Sequence, residues 1–207
     1  MENGLRLAVV FLFLALASLP VRAFFSALYA FGDGVCTTTG NSLTGPLYYG
    51  HRYSNGRVWL EVLAQRQGLV YDAAKNNSYF GDYSSNAVAN VNSFVAPPDV
   101  ASALFVVWVC DADFVGDLSQ FAPPYTAASI PAWNNNISHS LANHFNIITN
   151  LYAKGVRSLV MPNAVDVSKI PQYVGLDSTS KSFVRGRITY FNTNFIATLN
   201  QAAAVCP

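Results

Sequence analysis

Residues 102–109, SALFVVWV, constrain this chain more than any other stretch. Nearly every position is apolar, so a strand formed here must be covered on both faces. Such a strand belongs in the middle of a parallel sheet with helices on either side. Pro97-Pro98-Asp99 before it and Asp111-Ala112-Asp113 after it bound it at both ends.

Other elements alternate around that strand. Residues 24–31 are an apolar, aromatic run that stops at Gly32-Asp33-Gly34, which reads as a buried strand ending in a tight turn. A Gly/Thr/Ser-rich loop follows, from Thr37 to about Tyr49, and Ser54-Asn55-Gly56 punctuates the chain. Residues 57–67 read as a helix with Trp59, Val62, Leu63 and Arg66 on one face and Gly68 as its stop. Residues 76–92, rich in Asn, Ser and Tyr, read as loop, and a Pro-containing loop runs through Pro123, Pro124 and Pro131. Ile137, Leu141, Phe145, Ile148 and Tyr152 make a helical stripe ended by Gly155. Residues 156–161 form another short apolar strand, closed by Pro162-Asn163. A last helix starts near residues 178–180 and carries Val184, Ile188, Phe191, Phe195 and Leu199 on one face. This alternation predicts an α/β fold, a three-layer α/β/α sandwich around a mainly parallel sheet. The last helix leads into no further strand before Pro207, so the sheet is expected to lack its final strand.

Charge and hydropathy narrow the class. Charged residues are 11% of the chain and hydrophobic residues 52%, which excludes a disordered polypeptide. Twelve basic against eleven acidic residues give no excess that would hold a nucleic acid. Part of the apolar content is local: Arg6 is followed by LAVVFLFLALASLP, then by Val21-Arg22-Ala23, with small residues at the −3 and −1 positions of a cleavage site. Residues 1–23 are therefore expected to be a secretory signal peptide, with residues 24–207 as one exported domain, secreted or otherwise extracytoplasmic and periplasmic in a Gram-negative host. Without Glu2, Arg6 and Arg22 that domain holds ten basic and ten acidic residues. The N-terminal run is short for a membrane span, and no later stretch reaches about 18 apolar residues. Cys36, Cys110 and Cys206 allow at most one internal disulfide, and no CxxC or Cys/His zinc spacing occurs, so neither metal nor cofactor is expected.

Four segments point to one family. Phe31-Gly32-Asp33-Gly34 with Thr39-Gly40-Asn41 is similar to a strand ending in Phe-Gly-Asp-Ser and a following Gly-Asn loop. Tyr48-Tyr49-Gly50-His51-Arg52-Tyr53-Ser54-Asn55-Gly56-Arg57-Val58-Trp59 is a run that no generic fold chemistry demands. LFVVWVCDADF, residues 104–114, and Met161-Pro162-Asn163-Ala164 supply the other two. Together they resemble the SGNH, or GDSL-type, ester hydrolases over nearly all of residues 24–205. The resemblance implies a flavodoxin-like sheet and acyl-ester chemistry on a small ester, a lipid or an acylated carbohydrate, with no cofactor.

The same resemblance marks what is missing. The family's nucleophilic serine falls on Gly34, which has no side chain to attack a carbonyl. Its oxyanion donors fall on Gly81 and on Ala112, and alanine has no amide to donate. Asp33, Cys110 and Asp113 are expected in the same cleft, with Asp113 as a helix cap. No aspartate is followed by histidine three residues later, so the family's last block is absent and the domain is expected to be incomplete at its C-terminus. The expectation is a divergent, catalytically impaired ester hydrolase. The alternative is a non-catalytic secreted binding module for a lipid or carbohydrate.

Other residues offer little chemistry. Cys36 is an alternative nucleophile, although a secreted loop cysteine is the plainer reading. His139 and His144, five apart, share no helix face, form no metal pair and are expected to face solvent; His51 lies beside the cleft. Asp111, Asp113 and Asp117 cluster without the glycine and glutamate of a Ca²⁺ loop. Asn76 and Asn136 begin glycosylation acceptor patterns. Tyr48, Tyr49, Tyr53, Tyr79 and Tyr83 would ring the cleft mouth, read as loop packing ahead of sugar or acyl-chain binding.

Overall fold

The computed structural model describes residues 24–38, 49–52 and 54–207. The expected signal peptide, residues 1–23, lies outside them, as do Tyr48, Tyr53 and the side chain of His51. Four strands, β1 (Leu28–Gly32), β2 (Asn76–Ser78), β3 (Leu104–Trp108) and β4 (Leu159–Val160), form one sheet in the order β2-β1-β3-β4. All three pairings are parallel, and β1 and β3 are the inner strands, in register from Leu28 opposite Leu104 to Gly32 opposite Trp108. The helices are α1 (Trp59–Arg66), α2 (Ser84–Ser93), α3 (Cys110–Gln120), α4 (Ile130–Ala153) and α5 (Ser178–Val205).

Strand alternation explains the layers. Tyr29, Phe31, Phe105 and Val107 point to one face and pack against Ala87 and Val91 of α2 and Ile147 and Leu151 of α4. Leu28, Ala30, Leu104 and Val106 point to the other and meet Leu60 and Ala64 of α1. Because side chains alternate with a period of two, a doubly apolar strand needs both covers. Each fully buried phenylalanine here contributes about 1.5–3 kcal/mol from burial. α5 packs on α4, where Val184, Ile188, Phe191 and Phe195 meet Trp133 and Ile137. Of the stripe predicted for the last helix, Val184, Ile188, Phe191 and Phe195 are buried and Leu199 is partly buried, and Ala202 continues it.

Several expectations are corrected. Residues 76–92 are not a loop: they contain β2 and most of α2. β2 is an edge strand of Asn and Ser, held by side-chain bonds where apolar burial is lacking. Asn76 Nδ2 donates to the Cys36 carbonyl at 2.8 Å and to the Tyr71 hydroxyl at 2.9 Å, and Ser78 N–H donates to Asn76 Oδ1 at 3.0 Å. Asn76, so engaged and 4% exposed, is no glycosylation acceptor in the folded chain. The buried stripe of α4 is Trp133, Ile137, Ser140, His144, Ile147 and Leu151, turned away from the predicted one. His144, expected in solvent, is buried against Phe191 and Phe195, with ring centroids 5.7 and 5.2 Å away. In α1 the buried residues are Leu60, Glu61 and Ala64, while Arg66 is exposed.

Glu61 is buried because it is fully bonded. Arg52 Nε and Nη2 each donate to its carboxylate at 2.6 Å, and the Val58 N–H donates at 2.9 Å, closing the first turn of α1. A charge taken out of water needs this degree of pairing. Arg52 also donates to the Gly50 carbonyl at 2.9 Å and lies over the Tyr49 ring. The unusual run around Arg52 thus pins its segment to α1. Among the described residues, no helix is long and apolar enough to cross a membrane.

Candidate functional site

The carboxyl ends of β1 and β3 sit side by side, and the turns leaving them build a small crest of acids. Asp33 follows β1, and its N–H donates to the Trp108 carbonyl at the end of β3 at 3.1 Å. Its carboxylate accepts from Val35 N–H at 3.2 Å and, across the crest, from Ala112 N–H at 3.1 Å. Ala112 lies in the first turn of α3, where backbone N–H groups lack helical partners. Asp33 therefore caps a helix that begins in another segment. Asp111 accepts from Val165 N–H, in the loop after β4, at 3.3 Å. Asp113 accepts from Ser84 N–H at 3.0 Å and from the Ser140 hydroxyl at 2.6 Å. The helix cap expected of Asp113 is real, but it closes α2 rather than its own helix. Each acid thus bonds a backbone amide of a different segment, and together they brace the loops after β1, β3 and β4 and the starts of α2 and α3.

Burial governs their protonation. It pushes Asp33 up to about 7, helped by the charge of Asp111 and opposed by the amides of Ala112 and Val35. Asp111 rises to about 6 through burial, opposed by the Val165 amide, and Asp117 to about 6 through burial, opposed by Asn136. Burial also raises Asp113, against hydrogen bonds from Ser140 and Ser84. It lowers the His144 imidazole, which stays neutral while its Nδ1–H donates to the Ser140 carbonyl at 2.7 Å.

Gly34 sits in the turn that leaves β1. A methyl group at Gly34 would lie 3.0 Å from Phe80 Cδ2 and 3.7 Å from Cε2, and would meet no other described residue within 4 Å, its chain neighbours aside. Gly34 does not use left-handed backbone, so the conformation itself accepts a side chain. Gly81, next to Phe80, does use it, with φ of 82°. Residues 33, 34, 80 and 112 are thus neighbours at this crest. The Ala112 amide is committed to Asp33. Cys110 is 1% exposed, and burial followed by the Asp111 charge drives its thiol upward.

Cys36, the alternative nucleophile, lies in surroundings that do not favour a thiolate. It is fully buried, and burial together with the neighbouring Asp33 charge pushes its thiol well above the usual range. A reactive cysteine needs the opposite surroundings, exposed and electropositive. None of the three cysteines is in a disulfide. Among the described residues, no group of three or more His, Cys, Asp or Glu is placed to hold a metal ion.

A second feature adjoins the crest. An open groove of about 780 Å³ runs between the start of α2, α3 and α4. Asp117 and Asn136 lie in it, bonded to each other, with Asn143, which donates to the Ser84 hydroxyl at 2.9 Å. Tyr83 forms one wall, 46% exposed, and packs so closely on Gly116 that a methyl group there would sit 2.6 Å from its Cε1. His139 is exposed at its lip. Of these residues the sequence had pointed to Tyr83, Asp117, Asn136 and His139, but for other roles. The one signal for the groove was the density of Asn and Ser in residues 76–92 and 134–143, and it took on meaning only when the helices were brought together.

No protein-family model matches the chain, and no curated protein sequence matches it. Among solved structures, the crystal structure of TesA matches with 18% identity and a TM-score of 0.42, over 80% of this chain and 73% of that chain.

Proposed function

We propose that this chain has the frame of the SGNH/GDSL ester hydrolases, without their acyl-transfer centre, and works as an exported ligand-binding protein. The parallel sheet in the order β2-β1-β3-β4, with turns at its carboxyl ends carrying Asp33-Gly34, Gly81 and Ala112, supports the frame. The observation that carries the loss of chemistry is glycine at position 34, which has no side chain to attack a carbonyl; among the described residues, what a side chain there would meet is the ring of Phe80, not a base. The oxyanion side is equally spent, since position 112 offers no side-chain amide and its backbone N–H is held by Asp33. The hydrophobic run before Val21-Arg22-Ala23 supports export.

Two measurements test this on the full chain. Incubation with a fluorophosphonate probe should label no residue, and p-nitrophenyl acetate should be hydrolysed no faster than by an inert protein of equal mass. Stoichiometric labelling, or turnover that survives repurification, overturns the reading. For export, expression in a secreting host should give a product starting at Phe24.

A further inference from the structure

We propose that the groove between α2, α3 and α4 binds a neutral, hydroxyl-rich ligand, an oligosaccharide, with Tyr83 as its stacking platform and Asp117 and Asn136 as its floor. The inference rests on the ligand-binding reading above and names the class of ligand and the place.

The size suits such a ligand, since small-molecule sites occupy roughly 300–1,000 Å³. The lining chooses among ligand classes. Asp117, Ser119, Gln120, Asn136 and Asn143 offer carboxylate, hydroxyl and amide groups, and no Lys or Arg is among the described residues that line the groove. An anionic ligand would meet the carboxylates of Asp113 and Asp117, with no Lys or Arg among the described lining residues to pair with it. An acyl chain would strip water from these groups without replacing its hydrogen bonds, at about 1–3 kcal/mol for each one left unmet. An organic ammonium only donates, so it would find no use for the Gln120 amide N–H groups or for the amide hydrogens of Asn136 and Asn143 that are left over from their bonds to Asp117 and Ser84. Sugar hydroxyls both donate and accept, and match the whole set.

The acids divide the work. Both oxygens of Asp113 are committed inside the protein, to Ser84 and Ser140. Asp117 gives one oxygen to Asn136 and accepts nothing at the other from any described residue, so that oxygen is free for a ligand hydroxyl. Tyr83 supplies the apolar face. Its ring is half-exposed, yet its position is set by contact with Gly116, so little side-chain freedom remains to be lost on stacking.

The test uses the full chain and saturation-transfer NMR with three neutral probes, chitotriose, cellotetraose and maltotetraose, and with spermidine as a cationic probe. At least one saccharide should bind. Tyr83→Ala and Asp117→Asn should each weaken it at least ten-fold, and Tyr83→Phe should retain it. Ala142→Trp, on an exposed helix position lining the groove, should abolish binding while leaving the melting temperature unchanged. Failure of all three saccharides to bind, binding indifferent to Tyr83→Ala and Ala142→Trp, or binding of spermidine alone overturns the proposal. The two readings fail separately. Absent sugar binding with absent ester hydrolysis removes the groove and keeps the non-catalytic frame. Sugar binding alongside robust hydrolysis removes the non-catalytic frame and keeps the groove.

Discussion

The Asp33 carboxylate accepts the backbone N–H of Ala112 at 3.1 Å, joining two turns 79 residues apart in sequence. This bond ties the end of the first strand to the start of the helix after the third, so the geometry of the crest depends on the state of one buried acid.

That acid sets a pH dependence of stability. Asp33 moves from an ordinary 3.8 to about 7 in the folded protein, chiefly through burial. Between pH 4 and 7 the folded state therefore holds a proton that the unfolded state has lost. Stability must fall as pH rises through that window. The full displacement corresponds to on the order of 4 kcal/mol. Asp111 and Asp117, at about 6, act in the same direction over a narrower range. The melting temperature should thus be higher at pH 5 than at pH 7.5, and Asp33→Asn should flatten much of the slope. A Tm that climbs steadily to neutral pH would contradict the assignment.

Glu61 is the opposite case. Burial alone would raise its carboxyl, but the hydrogen bonds from Arg52 and Val58 outweigh it and hold it below the usual range. Glu61→Gln breaks the fork with Arg52 and leaves a half-buried guanidinium without its counter-charge. The expected loss is about 2–3 kcal/mol by denaturant unfolding. Arg52→Lys should lose nearly as much, since an ammonium cannot form the two parallel bonds. A loss under about 0.5 kcal/mol in both would mean the pair behaves as an exposed one.

How far these features could be read beforehand depended on what stabilises each. β1 and β3 were legible because burial on both faces forces apolar residues at successive positions, and α5 because Val184, Ile188, Phe191 and Phe195 repeat at helical spacing. β2 was not, since Asn76 and Ser78 are held by hydrogen bonds that no periodicity announces. The stripe of α4 was displaced because Ser140 and His144 belong to it, and polar residues enter a core only once partners such as Asp113 are in place. At the crest, the Gly32-Asp33-Gly34 turn after an apolar run marked the end of β1, while positions 34, 81 and 112 were marked as site positions only through the resemblance to the ester hydrolases. The contact between Phe80 and Gly34 and the groove beside α3 arise from packing between segments distant in sequence; the density of Asn and Ser hinted at the groove alone, and nothing local announced the contact.

Cysteine reactivity follows from burial. Cys36 and Cys110 are 0% and 1% exposed and their thiols are driven upward, whereas Cys206 is half-buried near the end of the last helix. The thiolate is the reacting species, so native protein treated with iodoacetamide at pH 8 should be alkylated at Cys206 and spared at the other two. Peptide mass spectrometry should find all three modified only after denaturation. Rapid native alkylation of Cys36 would restore it as a candidate nucleophile.

Restoring a hydroxyl at the crest should do little. Gly34 has backbone that an L-residue adopts, and among the described residues the close neighbour of a new Cβ is the rim of Phe80 at 3.0 Å, a few tenths of an ångström inside ordinary contact. Replacing glycine also restricts the unfolded chain, worth about 0.4–1 kcal/mol in favour of folding when the native conformation is compatible. The two effects are of similar size, so Gly34→Ser should melt within a few degrees of the parent. It should nonetheless gain neither fluorophosphonate labelling nor p-nitrophenyl acetate turnover. A serine becomes a nucleophile when a base takes its proton, and the ring of Phe80 offers none. Removing the ring as well, in the Gly34→Ser, Phe80→Ala double variant, should leave activity absent, because the Ala112 amide would still be held by Asp33. Labelling of Ser at position 34 in either variant would show that a base stands within reach of the crest, and the non-catalytic reading would fall with it.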